Sequence, residues 1–399
     1  CSALSRSAES VSRPARSPIQ QLPRSMIAKF ERIKMNKNFV RKNVLNFQPY
    51  IPGKPIDDVK REFNLKEVVK LASNENPLGP TPAAVSSIKK MLNKINIYPD
   101  GYCFELRKKI AKIYNVAENQ IIFGNGTDEI IELIGKTFLN PEDEIIVSEH
   151  AFIRYKMAGD LMGCKVIEVP MKNYKHDLNA MANAVTKKTK IVFIANPNNP
   201  TGTYNTKDEF EMYFSKLSIL NSQLLTFIDE AYAEYVAEKD YPLGLSSLKK
   251  GLNVMFSRTF SKIYGLAGLR IGYGVASSEI ISYIERVRPP FNVSSVAQAG
   301  AIASLDDNQH IKKSKELVSH EKKYLYEELK KIGLDYIPSV ANFILVNVKI
   351  DGRIIFEKLL RKGVIVRAMD EYGLKNFVRV TIGTSMQNRK FIKEVTKAI

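Results

Sequence analysis

Residues 224–232 read Leu-Leu-Thr-Phe-Ile-Asp-Glu-Ala-Tyr, and this stretch decides the fold. Residues 224–228 form a near-continuous apolar run, which is typical of a strand buried on both faces of a parallel sheet. Asp229 stands where that strand ends. A carboxylate in such a place costs free energy unless a cation pairs with it or donors hydrogen-bond to it. Asp229 is therefore predicted to have a partner, in either a structural salt bridge or a functional site.

Similar short apolar runs recur on both sides of this strand, with helical stretches or loops between them. They lie at residues 145–147, 166–169, 191–194 and 254–256. Strands that alternate with helices in this way predict an α/β fold, in which a mostly parallel sheet is flanked by helices.

The pattern changes after Pro289-Pro290. A charged helix is predicted over residues 311–331, followed by strands at 343–348, 364–367 and 377–382 with helices between them. This order is typical of a smaller α+β domain.

We therefore predict four segments along the chain. They are a disordered tail or non-native extension at 1–34, an N-terminal arm joining the small domain at 35–75, a large domain at 76–290 and a small domain at 291–399.

Residues 1–34 are rich in arginine and serine and poor in apolar side chains. Two interpretations are open. The segment is either an organelle transit peptide or upstream sequence that precedes a start at Met35 or Met26. We prefer the second and leave the segment out of the fold argument.

The bulk composition narrows the class of protein. Hydrophobic residues make up 44% of the chain and charged residues 26%, enough for a sizeable core. No apolar run reaches the roughly 20 residues that span a bilayer, so no membrane partner is expected. The three cysteines and four histidines are dispersed. This favours a reducing compartment, the cytoplasm, and predicts no metal site.

The net charge of +18 has three possible meanings: a nucleic-acid partner, an anionic substrate or a lysine-rich solvated surface. We favour the solvated surface, because the lysines are spread through the chain and no helix-turn-helix or zinc finger is visible. No nucleic-acid partner is expected.

Three further polar clusters follow predicted strands, at residues 124–129, 196–202 and 257–272. The carboxyl ends of strands in open α/β sheets are where ligands bind. The first cluster, Gly-Asn-Gly-Thr-Asp-Glu, opens a helix whose N-terminal amides suit a phosphate. The last contains Ser261 and Arg270, which suit an anion, with Lys262 nearby. A lysine in a partly buried pocket beside an arginine has its ammonium form disfavoured, which frees the amine for imine chemistry.

Four of these pieces together resemble the fold-type-I aminotransferases, which use pyridoxal 5'-phosphate. In the family's order they are Asn199-Pro200-Thr201-Gly202, Asp229-Glu230-Ala231-Tyr232, Ser261-Lys262 and Ala267-Gly268-Leu269-Arg270-Ile271-Gly272. The resemblance runs from about Asn43 to the C terminus. It identifies residues 76–290 as the large, pyridoxal-phosphate-binding domain.

Within that superfamily the chain looks most like the histidinol-phosphate aminotransferases. The supporting pieces are Asn46-Phe47-Gln48-Pro49-Tyr50, Leu71-Ala72-Ser73-Asn74-Glu75-Asn76-Pro77, Tyr98-Pro99-Asp100 and Arg379-Val380-Thr381-Ile382-Gly383-Thr384.

The resemblance implies roles for the catalytic residues. Lys262 is expected to carry the cofactor as a Schiff base and then to act as the base that moves the proton. Asp229 is expected to keep the pyridine nitrogen protonated, which makes the ring an electron sink. Asn199 and Tyr232 are expected to hydrogen-bond the phenolic oxygen, and Phe152 to stack on the ring.

The same resemblance implies the contacts of the cofactor phosphate. The candidates are Gly126, Thr127, Asp128, Thr259, Ser261 and Arg270, with Tyr98 reaching in from the partner subunit. A homodimer with shared active sites is therefore expected.

The substrate site is also implied by the resemblance. Arg379 is expected to hold the substrate's anionic group, with Arg367, Tyr50 and Asn342 as further contacts. The expected reaction is transamination between histidinol phosphate and 2-oxoglutarate, giving imidazole acetol phosphate and glutamate. An aromatic-amino-acid aminotransferase, a threonine-phosphate decarboxylase and a regulatory or nucleic-acid-binding protein with an aminotransferase-like domain stay open as alternatives.

Overall fold

The computed structural model describes residues 39–45, 47–50, 52–220 and 224–399. The predicted tail at 1–34 and the two candidate start methionines lie outside them. Contacts divide the chain into two units, residues 1–47 and 48–399. The described part of the first unit holds one short helix, α1 (Lys42–Leu45).

The second unit alternates strands and helices over most of its length, as the apolar runs predict. Its strands are β1 (Val69–Lys70), β2 (Ile121–Gly124), β3 (Glu144–Ser148), β4 (Lys165–Val169), β5 (Thr189–Ala195), β6 (Leu225–Asp229), β7 (Val254–Thr259), β8 (Gly272–Val275), β9 (Asp335–Ile337), β10 (Phe343–Asn347), β11 (Val364–Ile365), β12 (Arg367–Ala368) and β13 (Phe377–Thr381). Its α-helices are α2 (Ile56–Phe63), α3 (Pro82–Met91), α4 (Phe104–Tyr114), α5 (Thr127–Phe138), α6 (Arg154–Met162), α7 (Leu178–Asn183), α8 (Lys207–Leu220), α9 (Gly244–Lys249), α10 (Ser278–Glu285), α11 (Ser295–Ser304), α12 (Asn308–Lys331), α13 (Gly352–Arg361) and α14 (Ser385–Ala398).

The main sheet of the described residues has seven strands in the order β2-β8-β7-β6-β5-β3-β4. The neighbours from β7 to β4 pair in parallel, whereas β8 is antiparallel to both β2 and β7. The predicted α/β fold with a mostly parallel sheet is therefore confirmed.

The continuous apolar runs have a simple physical cause, because both faces of this sheet are covered. In β6, Ile228 belongs to one apolar core and Phe227 to the other. Successive side chains of a strand point to opposite faces, so each must be apolar when helices cover both. The strands of this sheet consequently carry their polar groups at the ends.

Beyond residue 290 lies a smaller antiparallel sheet in the order β12-β13-β10-β9, packed with α12 and α13. The single strand predicted at 364–367 is divided instead. Residues 364–365 pair in parallel with β1, and residues 367–368 pair with β13. Val366 lies between the two short strands, buried, where the chain passes from one sheet to the other. The predicted domain boundaries stay predictions.

None of the described helices combines enough length with enough apolar character to cross a bilayer.

Candidate active site

A cavity of about 570 Å³ opens at the carboxyl ends of β5, β6 and β7. Most of the side chains that the sequence predicts for the site line it. These are Tyr50, Thr127, Asp128, Phe152, Asn199, Asp229, Tyr232, Thr259, Ser261, Lys262, Arg270, Arg367 and Arg379. Chain segments that are far apart in sequence therefore meet at one edge of the sheet.

Asp229 is buried at the end of β6 and is held by three donors. Its Oδ2 accepts from the Tyr155 hydroxyl at 2.7 Å, and its Oδ1 accepts from the Ala231 amide at 3.1 Å and from Ser257 Oγ at 3.2 Å. Burial raises the pKa of this carboxyl to about 6, although the hydrogen bonds oppose the shift. The sequence leaves open whether a cation or hydrogen-bond donors satisfy Asp229. Among the described residues its partners are hydrogen-bond donors, and it forms no salt bridge.

Tyr155 was missed by the sequence reasoning. It stacks on Phe193 with ring centroids 5.2 Å apart, and its ring lies edge-on to Phe152. Its position three residues after Phe152, a predicted site residue, was the only signal in the sequence, and it is a weak one.

Lys262 Nζ donates to the Ser73 carbonyl at 3.1 Å and lies 5.7 Å from the centre of the Tyr232 ring. Burial lowers the pKa of this amine to about 8, and the positive charge of Arg379 adds to the shift. Arg270, the neighbour that the sequence pointed to, contributes less. A substantial fraction of this amine is therefore neutral near physiological pH.

The Tyr232 hydroxyl accepts a hydrogen bond from Asn74 Nδ2 at 2.9 Å. Burial raises the pKa of this phenol, so it keeps its proton. Asn199 lies in a loop with two cis peptide bonds, Asn196-Pro197 and Asn199-Pro200. Its side-chain oxygen accepts from Arg379 Nη1.

The N-terminus of α5 faces the same cavity and suits an anion. Gly126 precedes it with φ of 76°, and no side chain caps its first amides. Arg270 lies beside it, with Nη1 at 3.4 Å from Ser261 Oγ and Nη2 at 3.4 Å from Asp128 Oδ2. Free helix amides, a hydroxyl and a guanidinium are the donors that bind phosphate groups in proteins.

Arg379 supplies a second positive charge, close enough to Lys262 to lower the pKa of its amine. The guanidinium is buried, donates through Nη2 to the Ala72 carbonyl at 2.7 Å, and has no partner for Nε among the described residues. Arg367 lies over the Tyr50 ring at 5.6 Å and pairs with Glu371 at 2.6 Å. A buried cation that carboxylates leave unpaired is suited to an anionic ligand.

Three of the predicted residues do not line the cavity. Gly126 lies behind Arg270, and the ideal Cβ of an added side chain would come within 2.5 Å of Arg270 Nη2. Tyr98 is 79% exposed and stacks on Phe291 at 4.8 Å. Asn342 is buried and donates to the Asn74 carbonyl at 3.0 Å.

The arrangement can hold a molecule with three different features. It offers phosphate donors at one end, a partly neutral amine in the middle, and a buried carboxylate that can stabilise a protonated ring nitrogen. Arg379, which pairs with no carboxylate among the described residues, suits a second, anionic molecule.

Comparisons with known proteins agree with this geometry. The family model of aminotransferase class I and II matches residues 66–395. A histidinol-phosphate aminotransferase of Moorella thermoacetica is 47% identical over 360 residues, which cover 90% of this chain and 92% of that relative. One of Caldicellulosiruptor saccharolyticus is 46% identical, covering 90% and 99%.

Two solved structures are similar in fold. The histidinol-phosphate aminotransferase of Sinorhizobium meliloti, solved in complex with pyridoxal-5'-phosphate, has a TM-score of 0.82 at 23% identity, covering 90% of this chain and 97% of its own. The one from Clostridium acetobutylicum has a TM-score of 0.76 at 27% identity, covering 83% and 98%.

Proposed function

Because this chain belongs to the aminotransferase class I and II family, we propose that it transfers an amino group between histidinol phosphate and 2-oxoglutarate, giving imidazole acetol phosphate and glutamate. It is a pyridoxal-phosphate-dependent aminotransferase of fold type I. The relatives of 42–47% identity named for histidinol phosphate support this substrate.

The donor set of the cavity fits pyridoxal phosphate. The amides that begin α5, with the hydroxyls of Thr259 and Ser261 and the guanidinium of Arg270, would hold its phosphate. Asp229 would hold its ring nitrogen, and Phe152 would lie against the ring. When bound, this cofactor accepts the amino group and delocalises the electron pair left on carbon after a proton is removed.

The chain's own residues then divide the remaining work. Lys262 takes the proton from the substrate's amino-bearing carbon and would deliver it to the cofactor carbon that receives the amino group, which requires the neutral amine that its lowered pKa supplies. Asp229 stays ionised above its pKa of about 6 and so favours a proton on the ring nitrogen. Asn199 and Tyr232 position the ring.

Arg379 is the single observation that carries the substrate proposal. Its guanidinium is buried and lines the cavity. It donates to the Asn199 side-chain oxygen and to the Ala72 carbonyl, and neither of these acceptors neutralises its charge as a carboxylate would. Arg367 is the register partner of Arg379 on the neighbouring strand and lies over the Tyr50 ring. A dianionic phosphate held by Arg379 would therefore also lie near Tyr50 and near Arg367 with its partner Glu371.

A homodimer with shared active sites is part of the proposal. Tyr98, Ile95, Ile97 and Phe291 are exposed apolar side chains close together along the chain or in contact, and Tyr98 would reach the phosphate of the partner's site. We also propose a reducing compartment, the cytoplasm, a location supported by two free, buried cysteines, Cys103 and Cys164.

A substrate panel tests the function. The holoenzyme is mixed with 2-oxoglutarate and one donor at a time, and glutamate is measured. Histidinol phosphate is expected to give the highest kcat/KM, with phenylalanine and tyrosine far behind. Arg379→Gln is expected to raise KM for histidinol phosphate more than for phenylalanine. Preference for an aromatic amino acid, or release of CO₂ from threonine phosphate, would contradict the proposal.

A further inference from the structure

Asn74 is a buried residue with an unusual backbone. It lies between β1 and α3, is 1% exposed and has φ of 56°. A non-glycine residue in this region is uncommon and costs roughly 1 kcal/mol, so its surroundings must hold it there.

Four hydrogen bonds hold Asn74, from three separate parts of the chain. Its amide N–H donates to Thr381 Oγ1 at 2.8 Å, and the Thr381 hydroxyl donates to Asn74 Oδ1 at 3.1 Å. Its carbonyl accepts from Asn342 Nδ2 at 3.0 Å. The fourth bond runs from Asn74 Nδ2 to the Tyr232 hydroxyl. With Oδ1 on the side of Thr381, the proton of the buried Thr381 hydroxyl has an acceptor and the NH₂ group faces Tyr232; the reverse orientation would take that acceptor away.

This orientation decides what the Tyr232 hydroxyl can do. An NH₂ group can donate but cannot accept a hydrogen bond. The Tyr232 oxygen therefore accepts from Asn74, and the Tyr232 hydroxyl proton is free to be donated to another group. Both side chains line the cavity, so that partner is a group bound there.

The residue before Asn74 contacts the lysine of the site, since the Ser73 carbonyl accepts a hydrogen bond from Lys262 Nζ. Residues 73–74 therefore contact both the amine and the phenol of the site.

We infer that Asn74 is a positioning residue, which fixes Tyr232 as a hydrogen-bond donor toward the bound cofactor. This inference rests on the proposed function, in which Tyr232 faces the cofactor's phenolic oxygen. A donor there stabilises the ionised oxygen, so loss of the donor makes the cofactor's absorbance change at higher pH.

Asn74→Asp is the decisive variant. It keeps the size and the acceptor for Thr381, but replaces the NH₂ by an oxygen to which Tyr232 will donate. The pH midpoint of the bound cofactor's absorbance is expected to rise by about one unit, and kcat to fall about tenfold. Tyr232→Phe provides the reference, with changes in the same directions.

The double variant separates positioning from other effects. If Asn74 acts through Tyr232, adding Asn74→Asp to Tyr232→Phe changes the absorbance midpoint and kcat little further. An effect of the added charge alone would persist in that background and would overturn the inference.

Asn74→Gly guards against a folding defect, because glycine accepts a φ of 56° without strain. It removes the donor without adding a charge, and a midpoint between those of the wild type and Tyr232→Phe is expected. Wild-type midpoints in both Asn74 variants would overturn the inference while leaving the proposed function intact. A wild-type midpoint in Tyr232→Phe would overturn the role of Tyr232 itself, and the inference with it.

Discussion

Asp229 is a residue that the fold tolerates at a cost in stability. Its pKa is raised by burial from 3.8 to about 6, so the ionised form is less stable in the folded chain than in water. Below pH 3.8 the carboxyl is protonated in the folded and the unfolded chain, so its raised pKa costs no folding stability. The loss of stability grows as the pH rises from 3.8 to about 6 and is complete above that pH. At about 1.4 kcal/mol per unit the shift corresponds to roughly 3 kcal/mol as an upper bound. A protonated ring nitrogen beside the carboxylate would offset this.

Asp229→Asn is therefore expected to stabilise the cofactor-free protein. The gain at pH 8 should be about 1–2 kcal/mol, because an amide loses part of the hydrogen bonding from the Ala231 amide and Ser257. The gain should shrink as the pH falls to 4, because the folded-state carboxyl is then protonated and its ionisation no longer costs stability. Urea unfolding at both pH values measures it.

Glu321→Gln is the matched control for that experiment. Glu321 is also buried, which by itself would raise its pKa, but hydrogen bonds with Ser385, Asn388 and His320 together lower that pKa. Its replacement should destabilise the protein at pH 8. A loss of stability in Asp229→Asn as large as in Glu321→Gln would contradict the account of Asp229.

At this scale the sequence predicts the residues with unusual chemistry and misses those that support them. Asp229 and Lys262 stand out because a charge at the end of an apolar strand or among small residues needs a reason. Tyr155 and Asn74 do not, since a tyrosine or an asparagine is ordinary in its own segment. They meet Asp229 and Tyr232 across 74 and 158 residues of chain, and only the fold brings them together.

Among the elements, α5 has the most specific task. In the proposed function its first turn presents free amides to the cofactor phosphate and leaves room for Arg270, which a glycine at 126 permits. A Cβ there would come within 2.5 Å of Arg270 Nη2, and φ of 76° disfavours any other residue.

Gly126→Ala is expected to weaken pyridoxal phosphate binding about tenfold or more, since Arg270 is displaced from the phosphate site. Titration of the cofactor-free protein, followed by absorbance, measures the dissociation constant. Gly251→Ala is the control, because Gly251 has a nearly identical φ of 77° and nothing within 4 Å of the added Cβ. Both variants should lose some stability, but equal cofactor affinity in the two would contradict the role given to α5.

A strand can be recognised in the sequence when its apolar run is continuous. Strands β3, β5, β6 and β7 are recognisable because both of their faces are buried. Strand β8 is not, since glycine occupies positions 272 and 274. An ideal Cβ at Gly274 would lie 2.3 Å from Met255 Cε, and one at Gly272 would lie 2.9 Å from the Thr127 amide. The close approach that demands these glycines is invisible in the sequence.

At the scale of the whole molecule, the proposed dimer explains exposed apolar side chains around Tyr98. Ile95 is 65% exposed, Ile97 63% and Tyr98 79%. We expect the holoenzyme to sediment at twice the 45.1 kDa mass of the chain.

Ile97→Glu is expected to weaken this dimer, because it places a charge in an apolar interface. Cofactor affinity should fall with it, since Tyr98 would no longer reach the partner's site. Ile219→Glu is the control: Ile219 is 84% exposed on α8, and its change should leave both properties unaltered. A monomeric wild-type protein with full activity would contradict the shared site.

The molecule also has a second lysine suited to imine chemistry. Burial lowers the pKa of Lys322 to about 8, as it does for Lys262. Lys322 donates to the Ser339 carbonyl at 2.7 Å and does not line the cavity. The two amines have similarly lowered pKa values, but only Lys262 lines the cavity.

Borohydride reduction of the holoenzyme, followed by peptide mass mapping, tests the central claim most directly, because reduction fixes the cofactor to whichever amine carries it. The pyridoxyl group is expected on the peptide that contains Lys262, unchanged in Lys322→Arg and absent in Lys262→Arg. A pyridoxyl group on Lys322, or one that persists in Lys262→Arg, would contradict the account.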